Sequence, residues 1–338
     1  MPKELNLPPR ESIPADLHPL VTHQYTIITP GMEKVLAVVA EWIRSGVSGA
    51  TIEGDTRRGK TRCRRFMARM LPTAFPRMPV CWMLAHACDN PSERVFYGEI
   101  LKALKHPMWN DGTAVQRRDR LLESIVSLVQ SAGQARIVLL VDNAEYLREP
   151  QFHWLVGIFD ELDERGIELF TFFFGQRELS RIREDLRRAK LGHILSRFLD
   201  DRIEFHGIKS AGELKDCLSC YDVKSQFPEG TDWSFTRYYL PDAFAKGWRL
   251  AQLAKQFWAA FEEVHRHGAT TSALEIPTKH FVRSVEKFLL SVQISPTGDP
   301  VIAHAELVGI VASTGFGTVP RDSDSHEDDD SDEERDSA

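Results

Sequence analysis

The chain has 338 residues, 42% of them apolar, and its 42 Lys+Arg against 49 Asp+Glu give a formal net charge of −7. Ten acids and one base, Arg335, stand between Asp322 and Ala338, so the first 321 residues carry 41 bases and 39 acids, a net of +2. The total charge therefore does not exclude phosphate contacts by the body of the chain, and the length sets a prior of about two domains.

Aliphatic runs such as Ile137 to Val141 fall far short of the roughly 20 apolar residues that span a bilayer. Met1-Pro2-Lys3-Glu4 opens no apolar signal region, and five thinly spread cysteines suit a reducing compartment. A cytoplasmic protein without a membrane partner is expected.

Residues 1–30 are rich in proline and read as an extended arm. A helix is expected over Gly31–Arg44, where Met32, Val35, Leu36, Val39 and Trp42 recur at helical spacing. Ser48–Glu53 reads as a strand, Lys60 to about Met70 as a helix, and Pro79–Ala87 as a second strand. Two helices follow, over Ser92–Lys105 and Thr113–Ser131. Arg136–Val141 is a continuous apolar run ending in an acid, as in a buried parallel strand. Phe152–Arg165 reads as helix, Ile167–Phe174 as strand, Arg177–Leu199 as one or two helices, and Arg202–Phe205 as a fifth strand. Beyond His206 only helices are expected: Glu213–Tyr221, Pro241–His265 and Pro277–Ser291. Strands alternating with helices imply a parallel sheet covered on both faces, here followed by a helical lid. The expected divisions are 1–30 (arm), 31–207 (α/β domain), 208–292 (lid), 293–321 (linker) and 322–338 (acidic tail, with no apolar residue before Ala338).

Gly54-Asp55-Thr56-Arg57-Arg58-Gly59-Lys60-Thr61 is a complete G-x-x-x-x-G-K-[ST] between an expected strand and an expected helix. Its glycines let backbone N–H groups surround phosphates, and the helix N-terminus adds its positive end. Lys60 would reach the β/γ-phosphates, Thr61 would hold Mg²⁺, and Arg62 follows directly. Val138-Leu139-Leu140-Val141-Asp142 then delivers Asp142 as the second Mg²⁺ acid, acting through water. The next position, where many such ATPases carry a catalytic Glu, is Asn143, so turnover is expected to be slow or to recruit Glu145. The alternative for Glu145 is an acid in the first turn of a helix.

Ser196-Arg197-Phe198 precedes the last strand, where a ring-forming ATPase presents an arginine to its neighbour's γ-phosphate. Arg249, in Gly247-Trp248-Arg249-Leu250, opens a lid helix where a second arginine would touch nucleotide. Gln176 is the candidate polar sensor at the end of the fourth strand.

On Gly54–Thr61, Val138–Glu145, Phe174-Gly175-Gln176-Arg177-Glu178-Leu179, Ser196-Arg197-Phe198 and Gly247–Leu250, the chain resembles the AAA+ ATPases of transposition, the TnsC/TniB class related to MuB, and more distantly the ExeA-type secretion ATPases. The resemblance covers about 30–255. It implies a P-loop AAA+ fold, a parallel five-stranded sheet flanked by helices with a helical lid, and the cofactors ATP and Mg²⁺. The implied function is an ATP-dependent oligomer, ring or helical filament, on double-stranded DNA that links a target-selection protein or complex to a transposase. Departures are Asn143, the paired Arg57 and Arg58, and the acidic C-terminal stretch. An ExeA-type ATPase would continue into a membrane span and a peptidoglycan-binding domain, and a P-loop small-molecule kinase would act as a closed unit; both fit less well.

Candidate contacts to DNA phosphates are Arg62 and Arg65 after the P-loop, Lys102 and Lys105 at the end of a helix, and Thr113, Arg117 and Arg118 at the start of the next. Thr113 either caps that helix or bonds a phosphate. Cys217-Leu218-Ser219-Cys220 lacks a second pair at zinc spacing and reads as buried structural cysteine.

Overall fold

A computed structural model of the protein describes residues 9–268, 273–294 and 300–318. The acidic stretch 322–338 therefore lies outside the described residues. The chain divides into two compact units, an α/β unit of His23–Lys209 with Pro277–Lys279, and a helical unit of Met1–Thr22, Ser210–Ile276 and His280–Ala338.

In chain order, α1 (Pro19–Thr22) belongs to the helical unit. The α/β unit then runs α2 (Pro30–Ser45), β1 (Gly49–Glu53), α3 (Lys60–Ala74), β2 (Val80–Leu84), α4 (Glu93–Ala103), α5 (Ala114–Ser131), β3 (Arg136–Asp142), α6 (Glu149–Glu164), β4 (Glu168–Gly175), α7 (Leu179–Arg188), α8 (Gly192–Phe198) and β5 (Asp201–Glu204). All five expected strands form, and all pair in parallel in the order β2-β3-β4-β1-β5.

The apolar runs of β3 and β4 fit central positions because each strand must bury both faces. Ile137, Leu139, Val141, Leu169 and Phe173 enter one core with α4, α5, α6, α7 and α8. Val138, Leu140, Phe170, Phe172 and Phe174 enter the other with α2 and α3. The period of two along each strand thus divides one sequence run between two helical layers. The α2 boundaries follow local chemistry: the Thr29 hydroxyl accepts from Met32 N–H, Pro30 opens the first turn, and Gly46 closes the helix at φ 76°. Because β1, β3 and β4 are neighbours and parallel, the segments leaving their carboxyl ends share one edge of the sheet. In open α/β sheets that edge is where ligands bind.

The helical unit contains α9 (Ala211–Asp222), α10 (Phe235–Tyr239), α11 (Pro241–Ala245), α12 (Ala254–His267), α13 (Thr278–Ser291, its first two residues counted with the α/β unit), the short antiparallel pair β6 (Gln293–Ile294) and β7 (Pro300–Val301), and α14 (His304–Ala312). The single helix expected over Pro241–His265 is broken. Gly247 adopts φ 92°, and the buried Asp222 carboxylate accepts from Leu250 N–H and Ala251 N–H at 2.8 and 3.1 Å, which starts a new turn there. Burial raises the Asp222 pKa, against those backbone donors. In the stretch expected as a linker, α14 instead buries Leu307 and Val311, one turn apart.

The proline-rich arm is also more ordered than its composition implies. Ile13, His18 and Leu20 are buried in the helical unit, and the His18 ring lies 4.6–5.2 Å from Phe227, Phe235, Tyr238 and Tyr239. Its Nδ1 accepts from Leu20 N–H, and burial pushes its pKa down to about 4, so the imidazole is neutral.

Candidate nucleotide-binding site

The loop from β1 to α3 is shaped by contacts that exclude side chains. A Cβ on Gly54 would lie 2.3 Å from the Phe205 carbonyl oxygen, and Gly59 enters α3 at φ 95°. The Lys60 ammonium folds back onto this loop and donates to Gly54 O at 2.8 Å and Asp55 O at 2.9 Å. Burial lowers the Lys60 pKa, while Glu145, Asp142 and Asp55 pull it up and Arg58 pushes it down. The lysine at the phosphate loop thus already lies in the field of two acids from the β3 end.

Those acids are held differently. Asp142 ends β3 and is 1% exposed; its Oδ2 accepts from Arg64 Nε at 3.0 Å and its Oδ1 from Asn143 N–H at 3.1 Å. Asn143 takes a left-handed φ of 53°, which turns the chain into the short 3₁₀ turn Ala144–Tyr146. Glu145, in that turn, reaches the end of β4, where its Oε2 accepts from Gln176 N–H at 3.1 Å. Lys60, Asp142, Glu145 and the Gln176 backbone therefore meet at the sheet edge.

Arg58, one of the two arginines that depart from the family pattern, is mostly buried. It meets Asp55 Oδ2 at 2.5 Å and stands 3.9 Å from Glu204, while Arg177 holds the other Asp55 oxygen at 2.7 Å and Glu204 at 3.3 Å. Arg57 sits at φ 64° beside the half-buried Asp55 and the exposed Thr56. Thr278 Oγ1 donates to Arg58 O at 2.8 Å, so Pro277–Lys279 brace the loop from a distant part of the chain. Arg177, Glu204 and Thr278 carry no sequence signal, because only the tertiary fold brings them to the loop.

Beneath the loop, Arg183 from α7 forks onto Glu53. Its Nη2 donates to Oε2 at 2.9 Å, its Nη1 bonds Oε1, and Thr51 Oγ1 donates to Oε1 at 2.6 Å. Burial alone would raise the Glu53 pKa; the Arg183 and Thr51 bonds outweigh it and hold the carboxyl below its usual value of 4.5. A depressed acid contributes stability in full above the unfolded value and loses it as pH falls through the lower folded value. Arg183→Met is expected to cost about 3–5 kcal/mol at pH 7, with the deficit shrinking as pH falls towards and below 4.5, because the buried carboxyl left without its guanidinium takes up a proton earlier than in the wild type. Denaturant unfolding of both proteins across that range checks this; a deficit that does not change with pH would reject the account.

Arg197 is tied within its own unit. Its Nη1 donates to Asp160 Oδ1 on α6 at 2.7 Å and its guanidinium lies 4.4 Å from the Phe159 ring centre. In the helical unit, Arg249 donates to Phe244 O and Trp248 O at 2.9 and 2.7 Å and lies over the Phe244 ring.

The basic candidates for DNA separate into two groups. Arg117 is a correction to the expected phosphate contact: at 5% exposure it turns inward and donates to Arg94 O and Asn110 O. Arg62 spends a donor on Tyr25 O, and Arg118 pairs with Glu161. Thr113 forms the cap, with Gln116 completing a capping box. Lys102 and Lys105 are exposed and Arg65 is half-buried. Cys217 and Cys220 are buried and form no disulfide.

Residues 44–182 match the family model of a AAA domain. No curated protein matches the sequence. Among solved structures, the Aeropyrum pernix ORC2 protein in its ADPNP–ADP complexes is 13% identical, covering 88% of this chain and 97% of that one, with a TM-score of 0.45. Cdc6p from Pyrobaculum aerophilum is 14% identical, covers 89% of both chains and has a TM-score of 0.43. Domain III of the Thermotoga maritima replication initiation protein DnaA is 13% identical over 77% of this chain and 94% of that one, at 0.34. No described helix is long and apolar enough to cross a membrane. With the P-loop, the parallel five-stranded sheet flanked by helices and the helical region that follows, the chain has the AAA+ P-loop fold.

Proposed function

We propose that the protein is an ATP-binding and slowly hydrolysing AAA+ switch that assembles on double-stranded DNA and regulates transposition. The observation that carries the nucleotide part is the convergence of Lys60, Asp142 and Glu145 at the ends of β1 and β3. A triphosphate offers Lys60 stronger acceptors than the two loop carbonyls it now holds, because bonds to charged oxygens are roughly twice as strong as neutral ones. Lys60→Ala is expected to weaken ATP binding about ten- to a hundredfold, the worth of such a charged bond. Equilibrium binding of a fluorescent ATP analogue measures it, and an unchanged affinity would remove the lysine from the site.

The donors for Mg²⁺ fit this reading. Among the described residues no cluster of three or more His, Cys, Asp or Glu forms a protein cage, as suits an ion held chiefly by phosphates and one or two protein groups. Thr61, half-buried in the first turn of α3, and Asp142 would hold it; a carboxylate has about four acceptor positions, and two on Asp142 are taken. When bound, the ion neutralises phosphate charge. Glu145 would draw the proton from the attacking water, and Gln176 would orient it.

The transposition reading rests on the resemblance of the P-loop, strand-end and arginine motifs. It implies a transposase and a target-selection factor as partners and an oligomer as the working form. Arg65, Lys102 and Lys105 are the basic groups proposed to follow DNA phosphates without reading bases. Sizing and electron microscopy with linear duplex DNA, under ATP, a non-hydrolysable analogue, ADP or no nucleotide, test the whole. Ordered oligomers on duplex with ATP or its analogue are expected. Monomers indifferent to nucleotide and DNA would overturn the proposal.

A further inference from the structure

Arg64 stands one helical turn after Lys60, on the same face of α3. A charged side chain there is costly to bury, yet it is 1% exposed. Contacts that offset this cost include an acid and an aromatic ring. Its Nε donates to Asp142 Oδ2 at 3.0 Å, and its guanidinium carbon lies 4.0 Å from the ring centre of Trp82 on β2. The acid expected to serve the metal thus has a cation of its own at hydrogen-bond distance, inside the protein. Guanidinium does not deprotonate, so this counterion is permanent. The second Asp142 oxygen is fixed by Asn143 N–H, which sets the carboxylate's orientation before any ligand arrives.

We propose that Arg64 is a positioning residue for Asp142 and its built-in counterion, and that it makes nucleotide capture nearly independent of Mg²⁺. The inference rests on the reading of this edge as an ATP site. Asp142 is aimed by these two bonds whether or not a divalent cation is present. Its attraction for that cation is weakened because the guanidinium already neutralises it and repels a second positive charge. Binding of ATP then relies on Lys60 and the loop, and Mg²⁺ is needed chiefly for turnover. A purely structural ion pair would affect folding stability and leave the metal dependence of binding where it was.

The test measures ATP affinity of the full chain by calorimetry, once in Mg²⁺ and once in EDTA, for the wild type, Arg64→Met and Arg64→Lys. In the wild type the two affinities are expected to agree within about threefold, a difference of less than one decade in binding constant. Arg64→Met leaves the buried carboxylate uncompensated, so Mg²⁺ should now strengthen ATP binding about tenfold or more. Arg64→Lys retains the charge and should behave as the wild type. A wild-type affinity that falls more than about tenfold in EDTA would overturn the proposal. So would an Arg64→Met protein with a lower melting temperature but the wild-type Mg²⁺ effect. If Arg64→Met does not fold, the wild-type pair and Arg64→Lys still decide. A wild type that binds no ATP under either condition instead rejects the nucleotide site itself.

Discussion

Glu145→Gln is expected to lower ATP turnover by about 10²- to 10⁴-fold, the usual worth of a positioned general base, while ATP binding is retained. The position after Asp142 is Asn143, whose amide cannot take a proton from water. Glu145 is the nearest acid, and the structure fixes it by the bond from Gln176 N–H, in the electrostatic neighbourhood of Lys60. Glutamine keeps the shape and an oxygen for the Gln176 bond but loses the basic carboxylate. It also removes a negative charge near the phosphates, so affinity for ATP should hold or rise slightly. Single-turnover hydrolysis beside equilibrium binding separates these effects. Turnover unchanged in Glu145→Gln would remove Glu145 as the base and leave Asn143 only to orient the water, with the proton passing to solvent. Asn143→Glu should then raise the rate only if it replaces what Glu145 does less well.

The parts of this site legible in sequence were those encoded by adjacent residues. Gly54–Thr61 declares its own loop, and the apolar run ending at Asp142 declares a buried strand with an acid at its tip. The sheet follows from such runs because burial on both faces needs them. The arginines were not legible one by one. In Arg62-Cys63-Arg64-Arg65 three guanidiniums compete, and Trp82 with Asp142, from other strands, decides which turns inward.

A partial signal existed all the same. Arg64 lies on the stripe of Cys63, Met67 and Leu71, and Arg117 on that of Leu121, Ile125 and Val129. A cation at a core position of an amphipathic helix points to a buried pair more than to a phosphate. Arg177 and Glu204 joined Asp55 only through the sheet order, which sets β1 between β4 and β5. In the helical unit, Leu307 and Val311 span too short a segment of α14 to stand out as a helix against the glycines that follow. The arm's anchors, His18 and Leu20, have no periodicity because prolines interrupt the pattern.

Arg197→Ala is expected to abolish ATP-dependent assembly while the isolated subunit still binds ATP. A trans arginine at a γ-phosphate contributes about 10³- to 10⁵-fold to turnover, so hydrolysis should fall with assembly. In the single chain this guanidinium is occupied, bonded to Asp160 and lying against Phe159. An exposed ion pair contributes about 0.2–1 kcal/mol and a surface cation–π contact about 0.5–1 kcal/mol. Together they set a toll of about 0.7–2 kcal/mol on reaching a neighbour, or roughly three- to thirtyfold in association. Asp160→Asn weakens the tether without touching the arginine, so it should assemble at up to about fivefold lower protein concentration. The two substitutions thus act in opposite directions on one observable, the midpoint of assembly in sedimentation or light scattering at fixed ATP. Loss of a surface contact alone would move neither midpoint by more than experimental scatter. Should Arg197→Ala assemble as the wild type does, the arginine is a strut between α8 and α6 and another group must sense the neighbouring nucleotide.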